Sequence, residues 1–414
     1  MTPTTSGTSV HLPTVLTRLR SINETTGWVL AGIALAVVVG VPMVVSGPGN
    51  DLDVGNVFRA GRSIMDLDYE PSRAPGAPVH EAIVGVLDRI GGPLLTNLAS
   101  AVAALALVIG LDLLLAREGL SSKRRWAIAL VVANPWFLIA ATSTIDYVLA
   151  LTLVVWSALL LRNGHLVWSG VMAGLAMGSR VGSIVLIAAM LLAELTDTWA
   201  LSRDRVRSWP WRRVVVAGAV MAATTVVLFV PSFVEAGGFA FAQNDFTTST
   251  PLVMLGRAAA KILALLGPVA SVVALLALPA MARSLARWRT SWLIRFAAPG
   301  LVLSTALFLR FPWKVPHLLP VLLCGAILLG VALHRRPILL VVLVGLQLLY
   351  GVVGIDVIRP DSPNQAGSGH PTLSVSWGPV VTDWQCRRED PDAYLGEQLV
   401  EIEAAWNCAR PFGD

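Results

Sequence analysis

Two aspartates one residue apart, Asp51 and Asp53, stand a few positions past the end of a long apolar run. A carboxylate at such a place can take a proton from a hydroxyl group. Further ionisable residues occupy comparable junctions between apolar runs. Arg73, His80 and Glu81 lie in "DYEPSRAPGAPVHE", Asp146 beside Tyr147 in "TSTIDY", Arg180 in "GSRVGS", Glu235 and Asp245 in "EAGGFAFAQNDF", and Arg310, Lys314 and His317 in "RFPWKVPHLLP". Arginine grips an anion through two parallel hydrogen bonds, whereas lysine supplies a compact point charge. If these junctions share one end of the molecule, a base and a set of cations converge there. Ionisable groups at membrane depth are costly and are usually functional. The strongest functional combination is Asp51 or Asp53 with Lys314 and His317, while Arg59, Arg62 and Asp88 read as solvated loop charges. His80 and Glu81 are adjacent, so on a helix they point about 100° apart. With no HExxH-type spacing they are a poor metal pair, and Glu81 suits a role in orienting its loop. No phosphate-binding glycine loop and no Ser–His–Asp spacing is legible.

The elements that must position these residues are membrane helices. The 414-residue chain is 55% hydrophobic and 14% charged, with a mean hydropathy of +0.70. That is too little charge to cover a soluble surface. Apolar runs of about 18 residues or more read as membrane-spanning helices, and here they recur along the whole chain. The lipid interior admits only helices or closed barrels, and the runs are too long for barrel strands. The fold class is therefore an all-α membrane protein, a polytopic bundle of about 11 transmembrane helices. The net charge of +5 is carried by short basic clusters between apolar runs, which fits membrane topology and not nucleic-acid binding.

The predicted spans are 28–46, 94–116, 126–142, 145–161, 166–178, 181–196, 213–232, 259–282, 291–309, 315–333 and 337–355. The first is a retained span, since its apolar run exceeds the length of a signal peptide core. Basic loops at Arg117–Arg125, Arg203–Arg213, Arg283–Arg289 and His334–Arg336, with Arg18 and Arg20, should face the cytoplasm. An even number of crossings must then separate each from the next, which requires Leu166–Leu195 to break into two short helices at "GSRVGS". The domain organisation follows: 1–27 a cytoplasmic segment, 28–355 the transmembrane domain, 47–93 its first extracytoplasmic loop, and 356–414 a small extracytoplasmic tail. Within the first loop, a short interfacial helix around Val57 and Ile64 and a second over Val79–Ile90 flank a segment whose three prolines restrict its conformation. Cys386 and Cys408 both fall in the tail, where an oxidising compartment favours a disulfide between them. Cys324 lies within a span and reads as packing.

This layout resembles the GT-C superfamily of integral membrane glycosyltransferases: a first span, a long outer loop opening on an acidic residue and holding interfacial helices, then about ten further spans. "DVGNVFRAGRSI", Asp53–Ile64, is similar to a run after the first span in the bacterial protein mannosyltransferase-like branch, with Val57 or Phe58 in its aromatic slot. "SRAPGAPVHE" resembles the Pro-rich segment that follows there, and "KVPHLLP" the basic loop before a late span. The acids depart from the pattern: several members carry adjacent acids, whereas Leu52 separates Asp51 from Asp53.

The resemblance implies an enzyme of the cell membrane and cell envelope. It would move a hexosyl or pentosyl group from a polyprenyl-phosphate-linked donor to an extracytoplasmic glycan, lipid or protein acceptor. Asp53, with Asp51 as runner-up, would be the catalytic base. Arg73, His80, Glu81, Asp146, Arg180, Arg310, Lys314 and His317 would contact substrate. No cofactor is required by the residues, and a divalent metal is compatible with them. A polytopic transporter or a lipid or sugar flippase shares the composition, but a coupled transporter needs acids deep in mid-span. Here Asp112 and Glu194 lie nearer the inner ends of their helices, and acids cluster at the outer ends. A non-catalytic member of the same fold is the third reading.

Overall fold

The structure is a computed structural model that describes residues 26–120, 124–201, 210–238, 251–333, 337–358, 372–389, 391, 392 and 395. The basic loop at His334–Arg336, most of the one at Arg203–Arg213, Asp245 and Cys408 lie outside the described residues. The chain divides into Met1–Pro42 and Met43–Asp414. In the first unit, helix α1 (Thr26–Val44) is apolar and presents Val29, Leu30, Ile33 and Val38 outward. It ends just inside the second unit.

The second unit is helical almost throughout. After α1 come α2 (Leu52–Met65), α3 (Pro78–Arg117), α4 (Arg124–Val132) and α5 (Pro135–Ala141). Next are α6 (Tyr147–Arg162), α7 (Leu166–Ser179), α8 (Ile184–Leu201) and α9 (Pro210–Glu235). They are followed by α10 (Pro251–Leu266), α11 (Pro268–Leu276), α12 (Leu278–Ser284), α13 (Trp292–Arg310), α14 (Leu319–Ala332) and α15 (Pro337–Val352). The chain then makes an antiparallel hairpin, β1 (Val353–Ile358) and β2 (Thr372–Trp377), and helix α16 (Pro379–Glu389). Among the described residues, five helices are long and apolar enough to cross a membrane, and a sixth crossing is added if α10 and α11 count as one broken span. The protein is a polytopic all-helical membrane protein, as its apolar segments require.

The helices fall on the predicted segments, with instructive breaks. α7 and α8 do separate at "GSRVGS": Arg180 is extended (φ −156°, ψ 112°), and a single 3-10 turn, Val181–Ser183, restarts the chain. The segment expected as one span at 259–282 is instead three short helices. Gly267 has φ +83° and precedes Pro268, and α10 and α11 meet there at 88°. The span at 126–142 also breaks, at Asn134, whose side chain caps α5 by accepting from the Trp136 and Phe137 amides at 3.1 and 3.2 Å.

Two features of the first loop set the position of Asp53. The expected interfacial helix is α2, but Val54, Val57 and Phe58 are fully buried, so its apolar face turns into the protein. The second expected helix is the first arm of α3, which bends at Gly91 and Gly92 ahead of Pro93. The two cross at Gly61 and Gly85, where a Cβ on Gly85 would stand 2.2 Å from the Gly61 carbonyl oxygen. Only glycines allow that approach. The Arg62–Asp88 ion pair at 2.9 Å closes the crossing, which gives these two predicted loop charges a structural role.

The far ends of the helices carry a separate set of ion pairs. Arg162 binds Glu118 at 2.7 Å and Glu194 at 3.1 Å, Arg213 also pairs with Glu194, and Arg124 holds Asp112 at 2.6 Å. Asp112 and Glu194 are thus neutralised as helix-end clamps.

In the C-terminal segment Cys386 is buried on α16. A Cys386–Cys408 bond would close a loop of about 20 residues and stabilise the tail by roughly 3 kcal/mol in the chain-entropy model. Digestion of the non-reduced protein should give one cross-linked peptide that reduction splits in two. Two separately alkylated thiols in native protein would end this assignment.

Candidate active site

Asp51 is the N-cap of α2, and its side chain accepts from the Asp53 amide at 2.9 Å. An aspartate is among the best caps because it satisfies an otherwise orphaned amide. The cap sets the two carboxylates side by side at the start of the helix. Lys314 bridges them, its Nζ lying 2.5 Å from Asp51 Oδ1 and 3.0 Å from Asp53 Oδ2. Arg73 Nη1 approaches the same Asp53 oxygen at 3.0 Å, and its other nitrogen binds Asp146. Arg180 completes the set, reaching Asp146 at 2.9 and 3.2 Å while stacking 3.9 Å over the Tyr147 ring. Three carboxylates and three cations from five separate segments therefore form one connected cluster, only partly open to solvent.

Burial alone would raise the Asp53 pKa, but Lys314 and then Arg73 outweigh it and hold the carboxyl well below the usual carboxylate range. Burial would likewise lower Lys314, and Asp51 and Asp53 outweigh that, so its ammonium stays charged. Asp53 is accordingly a fixed carboxylate whose basicity rises only when a cation beside it is drawn elsewhere.

The loops beneath the cluster are fixed by fully buried polar side chains. Asn97 donates to the Val44 and Gly47 carbonyls at 3.0 and 2.7 Å and accepts from Thr144 at 2.9 Å, while the Thr144 amide donates to Pro48 O at 2.8 Å. These bonds tie the segment leading to Asp51 to the one leading to Asp146. Arg387 of α16 adds a second tie. It is 2% exposed and donates to the carbonyls of Met43 (3.1 Å), Thr142 (2.6 Å) and Ile139 (3.3 Å) and to Ser143 Oγ (2.6 Å). Asp383, one turn back, holds its guanidinium at 2.7 Å.

The other expected residues are placed as follows. Glu81 is fully buried and orients the proline segment, accepting from Ser72 N at 3.0 Å, Ser72 Oγ at 2.5 Å and Tyr69 OH at 2.5 Å. His80 is 4% exposed and its ring nitrogens make no hydrogen bond. His317 stands 5.7 Å from Tyr147, ring to ring, with Nδ1 3.4 Å from the Phe311 carbonyl. Arg310 is not joined to the cluster: it is exposed at the end of α13 and lies over Phe311 at 5.1 Å. Glu235 is exposed at the end of α9. Tyr69, Ser72, Asn97 and Arg387 were not singled out beforehand; the loop prolines flank the first two, but nothing local marks Arg387. Among the described residues no three His, Cys, Asp or Glu side chains gather as metal ligands. With the Lys314 ammonium between Asp51 and Asp53, this donor set does not fit a divalent ion.

Comparison with solved structures shows what kind of bundle presents this cluster. Two crystal structures of ArnT from Cupriavidus metallidurans match over 75% of this chain. The apo state has a TM-score of 0.51 at 19% identity, and the state bound to undecaprenyl phosphate 0.53 at 18%. The chain has the fold of ArnT. The match spans 60% of the ArnT chain. No family model and no curated protein matches the sequence.

Proposed function

We propose that this protein is a membrane glycosyltransferase that moves a sugar from a polyprenyl-phosphate-linked donor to an extracytoplasmic acceptor. The observation that carries the reading is the Asp53 carboxylate flanked by Lys314 and Arg73 on an ArnT fold. A base and phosphate-binding cations are the two things such a transfer needs, and one of the ArnT structures holds undecaprenyl phosphate. In this reading the N-terminus is cytoplasmic, and the first loop and the tail after 356 lie outside. The "DVGNVFRAGRSI" run aligns the chain with the protein mannosyltransferase-like branch.

The acceptor hydroxyl gives its proton to Asp53 as its oxygen bonds to the anomeric carbon. The bond from that carbon to the donor phosphate oxygen breaks, and the lipid phosphate leaves with the electron pair. Lys314, Arg73 and Arg180 stabilise the charge that builds on it. Because Lys314 and Arg73 are shared between Asp53 and the phosphate, an arriving donor draws them toward itself. This returns basicity to Asp53 at the moment the base is required. Asp51 serves mainly as cap and as the second anchor of Lys314.

The direct test supplies purified protein in lipid nanodiscs with a panel of undecaprenyl-phosphate sugars and a membrane extract as acceptor. Release of undecaprenyl phosphate above a heat-inactivated control supports the reading, and no release with any hexose or pentose donor contradicts it. Lys314→Ala should weaken donor binding as well as slow transfer, since the phosphate is present in both ground and transition states. Hydrogen bonds to charged groups are worth roughly 1.5–3 kcal/mol, or about 10- to 150-fold in donor affinity.

A further inference from the structure

The β1–β2 hairpin has one apolar face, and that face is uncovered. Its register pairs Val353 with Trp377 and Ile355 with Val375. Successive strand residues point to opposite faces, so these four share one side, while Gly354 and Ser376 lie on the other. Trp377 is 61% exposed, Val375 79%, Ile355 45% and Val353 39%. A two-stranded hairpin is marginal in water, and an uncovered apolar face on one marks a contact surface.

The occupant follows from where the hairpin is rooted. β1 begins at the residue after α15 ends. β2 returns to the same point: the Gly378 amide donates to the Val352 carbonyl at 2.8 Å, and a Cβ on Gly378 would stand 2.2 Å from the Tyr350 carbonyl oxygen. Both strands are thus pinned to the end of α15, a 16-residue apolar helix at the last span expected from hydropathy. That helix exposes Leu348, Leu349 and Val352 toward the same end, so the hairpin springs from a helix end that is itself apolar and uncovered. Tryptophan concentrates at the level of lipid headgroups, and Trp377 belongs to the strand pair nearest the helix end. The outer edges of a two-stranded sheet carry unpaired backbone groups, which keep it out of the hydrocarbon interior.

We propose that the hairpin lies in the lipid–water interface, with Val353, Ile355, Val375 and Trp377 toward the acyl chains. It anchors the C-terminal segment, and so α16 with Arg387, to the membrane surface beside the site. The proposal requires only a membrane protein, and it stands or falls apart from the transferase reading.

The test uses full-length protein in vesicles of phosphatidylethanolamine and phosphatidylglycerol. Single substitutions Val375→Cys, Ser376→Cys and Trp377→Cys on β2, and Ile355→Cys on β1, are labelled with a nitroxide. Wild-type protein carried through the same labelling serves as the blank. Collision with oxygen, which partitions into lipid, is compared with collision with a neutral nickel chelate, which stays in water. The expected result is an alternating pattern: labels at 355, 375 and 377 meet oxygen more often than nickel, and the label at 376 the reverse. Nickel-dominated collision at all four positions would place the hairpin in water and overturn the proposal. Shielding of 355, 375 and 377 from both reagents would also overturn it, because the face would then be covered by protein, either a second copy or the end of this chain.

Discussion

Replacing Asp53 by asparagine should lower turnover by about 100- to 10,000-fold, the contribution expected of the proposed general base. Asparagine keeps the size of the side chain and its acceptor oxygen but cannot take the proton. Donor binding is expected to hold or tighten, because Lys314 and Arg73 lose one of the carboxylates that share them. Asp51→Asn is the informative partner. Asparagine caps a helix about as well as aspartate, so α2 keeps its start and only the second anchor of Lys314 is lost. Its turnover should fall much less than that of Asp53→Asn. Single-turnover transfer from a pre-bound donor, with donor affinity measured separately, distinguishes the two. A dead Asp51→Asn beside an active Asp53→Asn would move the base by two residues. Full activity in both variants and in their double mutant would remove this loop as its source.

The second large effect is on stability and centres on Asp146. This carboxylate is fully buried and holds two guanidiniums, Arg73 and Arg180. Removing one partner of a buried ion pair leaves an uncompensated charge and costs roughly 3–5 kcal/mol. Asp146→Ala should therefore lower the unfolding midpoint in detergent strongly. Asp146→Asn keeps one acceptor oxygen and should be milder. Because Arg180 is the first residue past α7 and Arg73 sits in the proline segment, both cations lose their fixed positions, and donor affinity should fall with the midpoint. An Asp146→Ala protein that melts with wild type would mean that Arg73 and Arg180 find other partners. The effect should shrink when Arg73→Gln is combined with it, because contacting residues do not add.

Hydropathy and loop charge are local properties, so the helical segments, the first loop with its two helices, and the break at "GSRVGS" were legible along the chain. The role of Asp51 as a cap was not, since it depends on the extended backbone that lets its side chain reach the Asp53 amide. The bends at Asn134, Gly91–Gly92 and Gly267–Pro268 were not read there, and two of them split the spans expected at 126–142 and 259–282, the second by an 88° turn. Which charges meet is another matter. Lys314 lies 263 positions from Asp51, and Arg387 lies 344 from Met43. The gathering of Asp51, Asp53, Lys314, Arg73, Asp146 and Arg180 depends on how α2, α3, α6, α7 and the α13–α14 junction pack. No local pattern distinguishes Arg180, which joins the cluster, from Arg310, which does not. Hydropathy also marked the tail only as non-membrane, because the burial of Arg387 beneath the 139–143 loop is decided by the carbonyls that surround it. The sequence by itself therefore determined a polytopic helical membrane protein and the residue types at its loop ends. Tertiary packing decided which of those residues form the site, since ion pairing across hundreds of positions follows distance in the folded chain and leaves no periodic trace in its order.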